Sequence, residues 1–194
     1  LLAVGEPGFV GLTSGQLYSS RDGVNWTADS MDTPSELPDA ELGGLALDAP
    51  SGSNFDRFLL VGQRSGAARV WTRYIDKTNA EVFPWLYLIT DAGNKQPCPA
   101  LRNITLQPYA DGALLVGDGN DGKPAPFYLT EDGGRTWNPN ALKRPNDVAA
   151  THSSALVVGG EVYLFCSGSG NVWKGKLNRA AWTKPEYSFT KGIR

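Results

Sequence analysis

The 194-residue sequence has little cysteine, almost no histidine or methionine, and no long apolar run. Its two thiols, Cys98 and Cys166, are too few for a disulfide scaffold and lack the C-x-x-C spacing of a zinc site. A bridge between them is one alternative, and the favoured interpretation is that Cys166 is a small buried apolar side chain. The longest apolar stretches, such as 59–61 and 155–158, are far shorter than the ~20 residues that cross a bilayer, which predicts no transmembrane segment.

The single histidine and the balance of charge exclude further functions. His152 is followed by two serines, and adjacent residues on a strand point to opposite faces, so no nucleophile and base are paired there. The 18 basic residues nearly cancel the 20 acidic ones, which leaves a net charge of -2 and no field that would attract nucleic acid. We therefore expect no nucleic-acid partner. No spacing typical of a metal site or a phosphate-binding loop is present, so we expect no metal and no cofactor.

Turn signals between short apolar runs are abundant. The sequence contains 23 glycines and 13 prolines, and the runs between them are rich in Val, Leu, Tyr, Trp and Phe. No long window carries apolar residues at helical spacing. Short runs of such residues bounded by turn signals predict an all-β fold.

The chain also repeats itself. An apolar residue followed by an aromatic one occurs at 17–18, 70–71, 127–128 and 172–173. Each pair is preceded by two further apolar runs and followed by a tryptophan, so each unit offers four candidate strands. The tryptophans that close the units are Trp26, Trp85, Trp137 and Trp182.

Repeated four-stranded units predict a β-propeller of antiparallel blades, because one small sheet buries both faces only when neighbours stack on it. The predicted blades cover residues 1–30, 41–90, 101–140 and 147–185 of one domain over 1–194. A β-sandwich built from hairpins is the alternative fold. Four blades either close a ring or belong to a larger one. The sequence starts with Leu1 rather than Met, which we interpret as a processed or truncated product.

The clearest motif lies between the third and fourth candidate strands of two units. Residues 130–137 read T-E-D-G-G-R-T-W, and residues 20–26 read S-R-D-G-V-N-W, with one residue fewer. The aspartate can accept hydrogen bonds from turn amides, the glycine permits a left-handed backbone, and the tryptophan can close the blade. Both segments resemble the Asp-box, or BNR repeat, of certain β-propellers. The resemblance assigns a structural role, and not catalysis, to Ser20, Asp22, Gly23, Trp26, Thr130, Asp132, Gly134, Thr136 and Trp137.

Asp-box propellers include sialidases, xyloglucan-cleaving glycosidases, sortilin-type receptors and uncharacterised secreted or surface proteins of gut Bacteroidetes. The segments 17–26 and 172–179 make the chain most similar to the last group. This resemblance implies an extracytoplasmic location, at the cell surface or in the periplasm. It also implies that the boxes lie at the end of the propeller away from the ligand.

We therefore expect a noncatalytic recognition or scaffold module that binds a glycan or protein partner through the loops opposite the boxes. These loops cover 27–40, 63–69, 86–101, 118–126 and 138–147. Their polar residues are the ligand-binding candidates: Arg64, Asp91, Lys95, Asp118, Asp121 and Arg144. The alternative is a glycoside hydrolase of sialidase or xyloglucanase type, but no local pattern brings its acidic groups together and no catalytic residue is assigned. The oligomeric state is left open.

Overall fold

The computed structural model describes residues 2–5, 8–13, 16–29, 41–48, 52–79, 81–88, 97–109, 112–119, 125–139, 153–166, 171–175 and 182–183. The regular elements within these ranges are all β-strands. They form four antiparallel sheets in which the strands lie side by side in chain order. The all-β prediction is confirmed.

Each sheet corresponds to one unit of the repeat. Blade 1 consists of β1 (Leu2–Gly5), β2 (Gly8–Thr13), β3 (Gln16–Ser20) and β4 (Thr27–Ala28). Blade 2 consists of β5 (Glu41–Asp48), β6 (Phe55–Arg64), β7 (Ala67–Asp76) and β8 (Leu86–Leu88). Blade 3 consists of β9 (Leu101–Tyr109), β10 (Gly112–Gly119) and β11 (Tyr128–Thr130). Blade 4 consists of β12 (Ser153–Val158), β13 (Glu161–Cys166), β14 (Asn171–Gly175) and β15 (Trp182–Thr183).

Blade 3 has three strands where the repeat predicts four. After β11 the chain turns back and makes an isolated antiparallel bridge, in which Asn138 and Leu129 donate their amides to each other's carbonyls at 2.8 and 3.0 Å. Pro139 follows directly and is the last described residue of this segment. Within the described residues, the fourth strand of this blade is therefore reduced to one bridge.

The blades stack through their first strands. β1 contacts β5, β5 contacts β9, and β9 contacts β12. The approach of β5 to β9 requires Gly44, where a Cβ atom would lie 2.6 Å from the Cβ of Leu106. Small sheets packed side by side along their first strands form a β-propeller, so that prediction is confirmed and the sandwich alternative is wrong.

Alternate residues of each strand pack against opposite neighbours, as the two-residue period of a strand requires. In blade 2, Leu60 pairs across the strands with Trp71 and both pack against blade 1, whereas Val61 pairs with Val70 and both pack against blade 3. Each blade therefore has a backward face, toward the preceding blade, and a forward face, toward the next. The blade 3 residues Leu114 and Phe127 form the forward face that packs on blade 4.

Candidate functional site

The two ends of the blades differ in what they carry. The turn end carries the connections between third and fourth strands, including residues 20–27 and 130–137. The loop end is opposite and carries the connections between second and third strands and those between successive blades. Because neighbouring strands are antiparallel, Arg64 at the end of β6 and Asp118 near the end of β10 lie at the loop end.

The turn at 130–137 is organised around the carboxylate of Asp132. The Thr136 amide donates to Oδ1 at 2.9 Å and the Thr136 hydroxyl to Oδ2 at 2.6 Å, while the Thr130 hydroxyl donates to Oδ1 at 3.0 Å. The Gly134 amide donates to the Thr130 hydroxyl at 2.8 Å, and the Trp137 indole donates to the Gly134 carbonyl at 3.0 Å. Both carboxylate oxygens of Asp132 therefore accept hydrogen bonds from groups within the turn.

The turn at 20–26 repeats this geometry with one residue fewer. Asp22 Oδ1 accepts from the amides of Val24 and Asn25, both at 2.8 Å, and Oδ2 accepts from the Asn25 side-chain amide at 2.7 Å. The Trp26 indole donates to the Gly23 carbonyl at 3.2 Å. Asn25 therefore donates both a backbone and a side-chain hydrogen bond to Asp22, as Thr136 does to Asp132.

These hydrogen bonds hold both aspartates in the ionised form. The pKa of Asp22 is lowered by the amides of Asn25 and Val24, followed by the side chains of Asn25 and Ser20. At Asp132, partial burial raises the pKa, but hydrogen bonds from Thr136 and Thr130 outweigh burial and the net shift is downward. A general acid needs a raised pKa to keep its proton near neutral pH, so neither group is suited to proton donation.

Blade 2 keeps a simpler version of the turn. Asp76 Oδ1 accepts from the Thr78 amide at 2.7 Å and from the Thr78 hydroxyl at 2.6 Å, and these bonds lower the pKa of Asp76. Its closing tryptophan, Trp85, is buried between blades 1 and 2. The corresponding segment of blade 4, residues 176–181, lies outside the described residues.

The loop end brings polar groups of two neighbouring blades to one side of the molecule. Arg64 is partly exposed beside a tight hairpin whose residues Ser65 and Gly66 have φ of 51° and 77°. On blade 3, Arg102 and Asn103 at the start of β9 are exposed. The sequence analysis missed this pair, although it directly follows a blade-to-blade connection, where loop-end side chains are expected.

Asp118 occupies a different environment from that expected of a loop charge. Its side chain is 2% exposed, and its Oδ2 accepts a hydrogen bond of 2.9 Å from Asn103, which has a φ of 50°. The carboxylate therefore fixes the start of β9 from inside the blade. The other four ligand-binding candidates lie outside the described residues: Asp91, Lys95, Asp121 and Arg144.

A cavity of about 300 Å³ opens at the turn end between blades 1 and 2. Phe9 and Thr27 line it from blade 1, and Ile75 and Val82 from blade 2. Deeper between these blades, Arg73 forms a buried ion pair with Asp29. Neither feature has a local sequence signal, because each joins residues from separate repeats.

The described residues hold little other reactive chemistry. Cys98 is a buried free thiol whose pKa is raised by burial, so it is not bridged to Cys166. No three of the described Asp, Glu, His and Cys side chains cluster closely enough to hold a metal ion. In the same part of the chain, no helix has the length and apolar character needed to cross a membrane.

Comparison with known proteins gives one family and a set of structural neighbours. The DUF6242 beta propeller domain matches residues 1–185 of the chain. No curated protein matches.

Three solved structures are similar in fold. The Hadza microbial sialidase Hz136 has a TM-score of 0.58 at 11% identity, over 97% of this chain and 46% of that one. The GH74 enzyme of Niastella koreensis has a TM-score of 0.56 at 15% identity, over 96% and 24%. YCF48 from Cyanidioschyzon merolae has a TM-score of 0.54 at 14% identity, over 98% and 56%. The chain thus spans between about a quarter and just over half of these structures, and at such identities the likeness concerns the fold.

Proposed function

The chain belongs to the DUF6242 beta propeller domain family, and from that premise we propose that it is a noncatalytic recognition or scaffold module. The module binds a glycan or protein partner through the loop end, and it acts outside the cytoplasm. The location rests on the resemblance of segments 17–26 and 172–179 to secreted and surface propellers.

The observation that carries this proposal is that the partly exposed Arg64 and the exposed Arg102 and Asn103 lie at the same end of two neighbouring blades. Paired strands hold each of them, and loops on a rigid sheet are where binding residues usually lie. Guanidinium and amide groups donate several hydrogen bonds each, which suits the hydroxyl and carboxylate oxygens of glycans and of acidic peptides.

The residues of the turn end also support the proposal, because they have a structural role. We interpret the turns at 20–26 and 130–137 as Asp-boxes, whose residues form the blade and do not contact the ligand. Asp22 and Asp132 have both carboxylate oxygens occupied within their turns, which leaves them unsuited to catalysis. Carbohydrate is the favoured ligand class because the neighbours named above include a sialidase and a GH74 enzyme.

A glycan array with two matched variants tests the location of the site. The loop-end variant carries Arg64→Ala and Arg102→Ala together with Asp91→Ala, Lys95→Ala, Asp121→Ala and Arg144→Ala, and it keeps the buried Asp118 and its partner Asn103. The turn-end variant carries Arg21→Ala, Glu131→Ala and Arg135→Ala, which are exposed in the structure. We expect the loop-end variant to bind at least about tenfold more weakly and the turn-end variant to bind normally. The reverse pattern would refute the assignment.

Turnover assays separate binding from hydrolysis. The competing function is a glycoside hydrolase of sialidase or xyloglucanase type. We expect no turnover of fluorogenic sialosides, xyloglucan or β-1,3-galactan. Hydrolytic activity that copurifies with the chain at constant specific activity would show that the chain is an enzyme. It would contradict the noncatalytic proposal.

A further inference from the structure

The cavity at the turn end between blades 1 and 2 has apolar walls. Phe9 lines it from blade 1, and Ile75 and Val82, which form an antiparallel bridge with each other, line it from blade 2. Its volume of about 300 Å³ is at the lower limit for small-molecule pockets, which range from about 300 to 1,000 Å³. The cavity therefore has the size and the walls to hold one large apolar side chain.

Most polar groups in the lining already make hydrogen bonds within the chain. The Ser19 hydroxyl donates to Asp29 at 2.7 Å. The Ser20 hydroxyl and the Asn25 side-chain amide donate to Asp22, at 3.0 and 2.7 Å. A sugar in this cavity would find few new partners for its hydroxyls in exchange for the water that they lose, which is unfavourable. The lining thus favours an apolar group over a carbohydrate.

Exposed apolar side chains lie beside the lining residues. Val82 is 39% exposed, and Trp26 is 41% exposed, with its ring centroid 6.4 Å from that of Phe9. Val24, in the turn at 20–26 that contributes to the lining, is 78% exposed. Apolar surface grouped around a pocket is typical of sites that bind other proteins. These side chains are placed to contact the residues on either side of a group that fills the cavity.

A strand edge lies next to the cavity. β4 carries Thr27 of the lining, and it is the outermost strand of blade 1 among the described strands. The amide of Asp29, directly after β4, donates to the Leu17 carbonyl of β3 at 2.9 Å. Because hydrogen-bonding groups alternate in direction along a strand, the amide and carbonyl of Ala28 point away from β3, toward the outer edge. An extended peptide can pair with such an edge and add a strand to the sheet.

We propose that the turn end of blades 1 and 2 binds an extended polypeptide segment, which pairs with the edge of β4 and inserts one large apolar side chain into the cavity. The residues on either side of the inserted side chain pack on Val24, Trp26 and Val82. The edge of β4 offers main-chain hydrogen bonds and the cavity accepts one side chain, so the ligand is a polypeptide and not a free small molecule. This site lies at the opposite end of the blades from the loop end, and it does not depend on the proposed recognition function.

Host peptides of the form acetyl-Ser-Thr-X-Thr-Ser-amide, in which X is Leu, Phe, Trp or Ala, test the cavity. Each is titrated into the isotope-labelled chain to about 10 mM, because a single anchor gives a Kd of about 1 mM. We expect the Leu, Phe and Trp peptides to shift the amides of Phe9, Ala28, Ile75 and Val82. The Ala peptide should bind at least about tenfold more weakly, since it lacks the group that fills the cavity.

Thr27→Trp and Ala28→Trp form a matched pair of variants. Both residues are exposed on β4, but successive side chains of a strand point to opposite faces. A tryptophan at position 27 therefore fills the cavity, and one at position 28 leaves it open. We expect Thr27→Trp to weaken binding of the Leu peptide at least about tenfold and Ala28→Trp to retain the wild-type affinity within about twofold. The urea midpoint of each variant checks that it is folded.

Ala28→Pro tests the pairing with β4. Proline removes the amide that points to the outer edge and leaves the hydrogen bonds to β3 intact, so binding of the Leu peptide should weaken at least about fivefold. Unchanged affinity in this variant would overturn the pairing. Equal binding of the Leu and Ala peptides, equal binding by Thr27→Trp and Ala28→Trp, or no binding of any peptide would each overturn the proposal.

Discussion

Asp29 and Arg73 form an ion pair between blades 1 and 2, with side chains that are 6% and 5% exposed. The Ser19 hydroxyl donates to Asp29 Oδ1 at 2.7 Å, and the Trp85 indole donates to Oδ2 at 3.3 Å. The Arg73 guanidinium carbon lies 5.7 Å from the centre of the Trp85 ring. The pair thus joins a residue that follows β4 to the middle of β7.

Removal of one charge should destabilise this junction. Asp29→Asn leaves the Arg73 guanidinium buried without its anion, so we expect the free energy of unfolding to fall by about 3 kcal/mol in urea titration. The double variant Asp29→Asn/Arg73→Met removes both charges and should recover part of the loss. A decrease below about 1 kcal/mol for the single variant would show that water, and not Asp29, solvates Arg73.

Gly134 of the 130–137 turn packs against blade 2 too closely to accept a side chain. Its φ is 87°, and a Cβ atom would lie 2.7 Å from Leu59 Cδ1 and 3.0 Å from Val70 Cγ1 of blade 2. Gly134→Ala should therefore lower the free energy of unfolding by about 3 kcal/mol, from backbone strain and overpacking together. Gly159→Ala is the control: its φ is 58° with no atom within 4 Å of the added Cβ, so only strain of about 1 kcal/mol is expected. Equal losses of unfolding free energy in Gly134→Ala and Gly159→Ala would argue against the contact of Gly134 with blade 2.

Asp132 should make the free energy of unfolding depend on pH in the acidic range. Because its pKa is lower in the folded chain than the usual 3.8, its contribution is complete above about pH 4 and is lost as the pH falls through the folded value. We expect the urea midpoint of the wild type to fall over this range. Asp132→Asn should have a lower midpoint at pH 7 and a shallower decline in acid, whereas Glu131→Gln in the same turn should follow the wild type. Parallel curves for Asp132→Asn and the wild type would contradict the role of the carboxylate.

Cys98 should resist modification while the chain is folded. Its side chain is 6% exposed, and burial raises the pKa of the thiol, so little thiolate is present to react. In a Cys166→Ser background we expect no reaction with a thiol-specific disulfide reagent at pH 8 until urea unfolds the chain. Rapid reaction before unfolding would place Cys98 at the surface.

The blades were predictable because their information is local. The pairs at 17–18, 70–71, 127–128 and 172–173 lie on or beside the third strands, and alternation along each strand determines which residues are buried. The turns at 20–26 and 130–137 were predictable for the same reason, since Asp22 and Asp132 bind groups within four residues.

Features that depend on neighbours were not predictable. The Asp29–Arg73 pair joins residues 44 apart and has no motif. The sequence predicts that Asp118 is an exposed loop charge, but its side chain is 2% exposed and accepts a hydrogen bond from Asn103 of the adjacent strand. Trp26 and Trp137 share one motif and one hydrogen bond, yet Trp26 is 41% exposed, whereas Trp137 packs among residues of blades 2 and 3 and is 1% exposed.

The most direct test of the recognition function is to map bound glycan on the isotope-labelled chain by NMR. Sialoside, xyloglucan and β-1,3-galactan oligosaccharides would be titrated separately. Binding at the loop end predicts chemical-shift changes in the amides of residues 64–67 and 101–103, with those of 20–26 and 130–137 unchanged. Changes concentrated at Phe9, Thr27 and Ile75, around the cavity at the turn end, would contradict it.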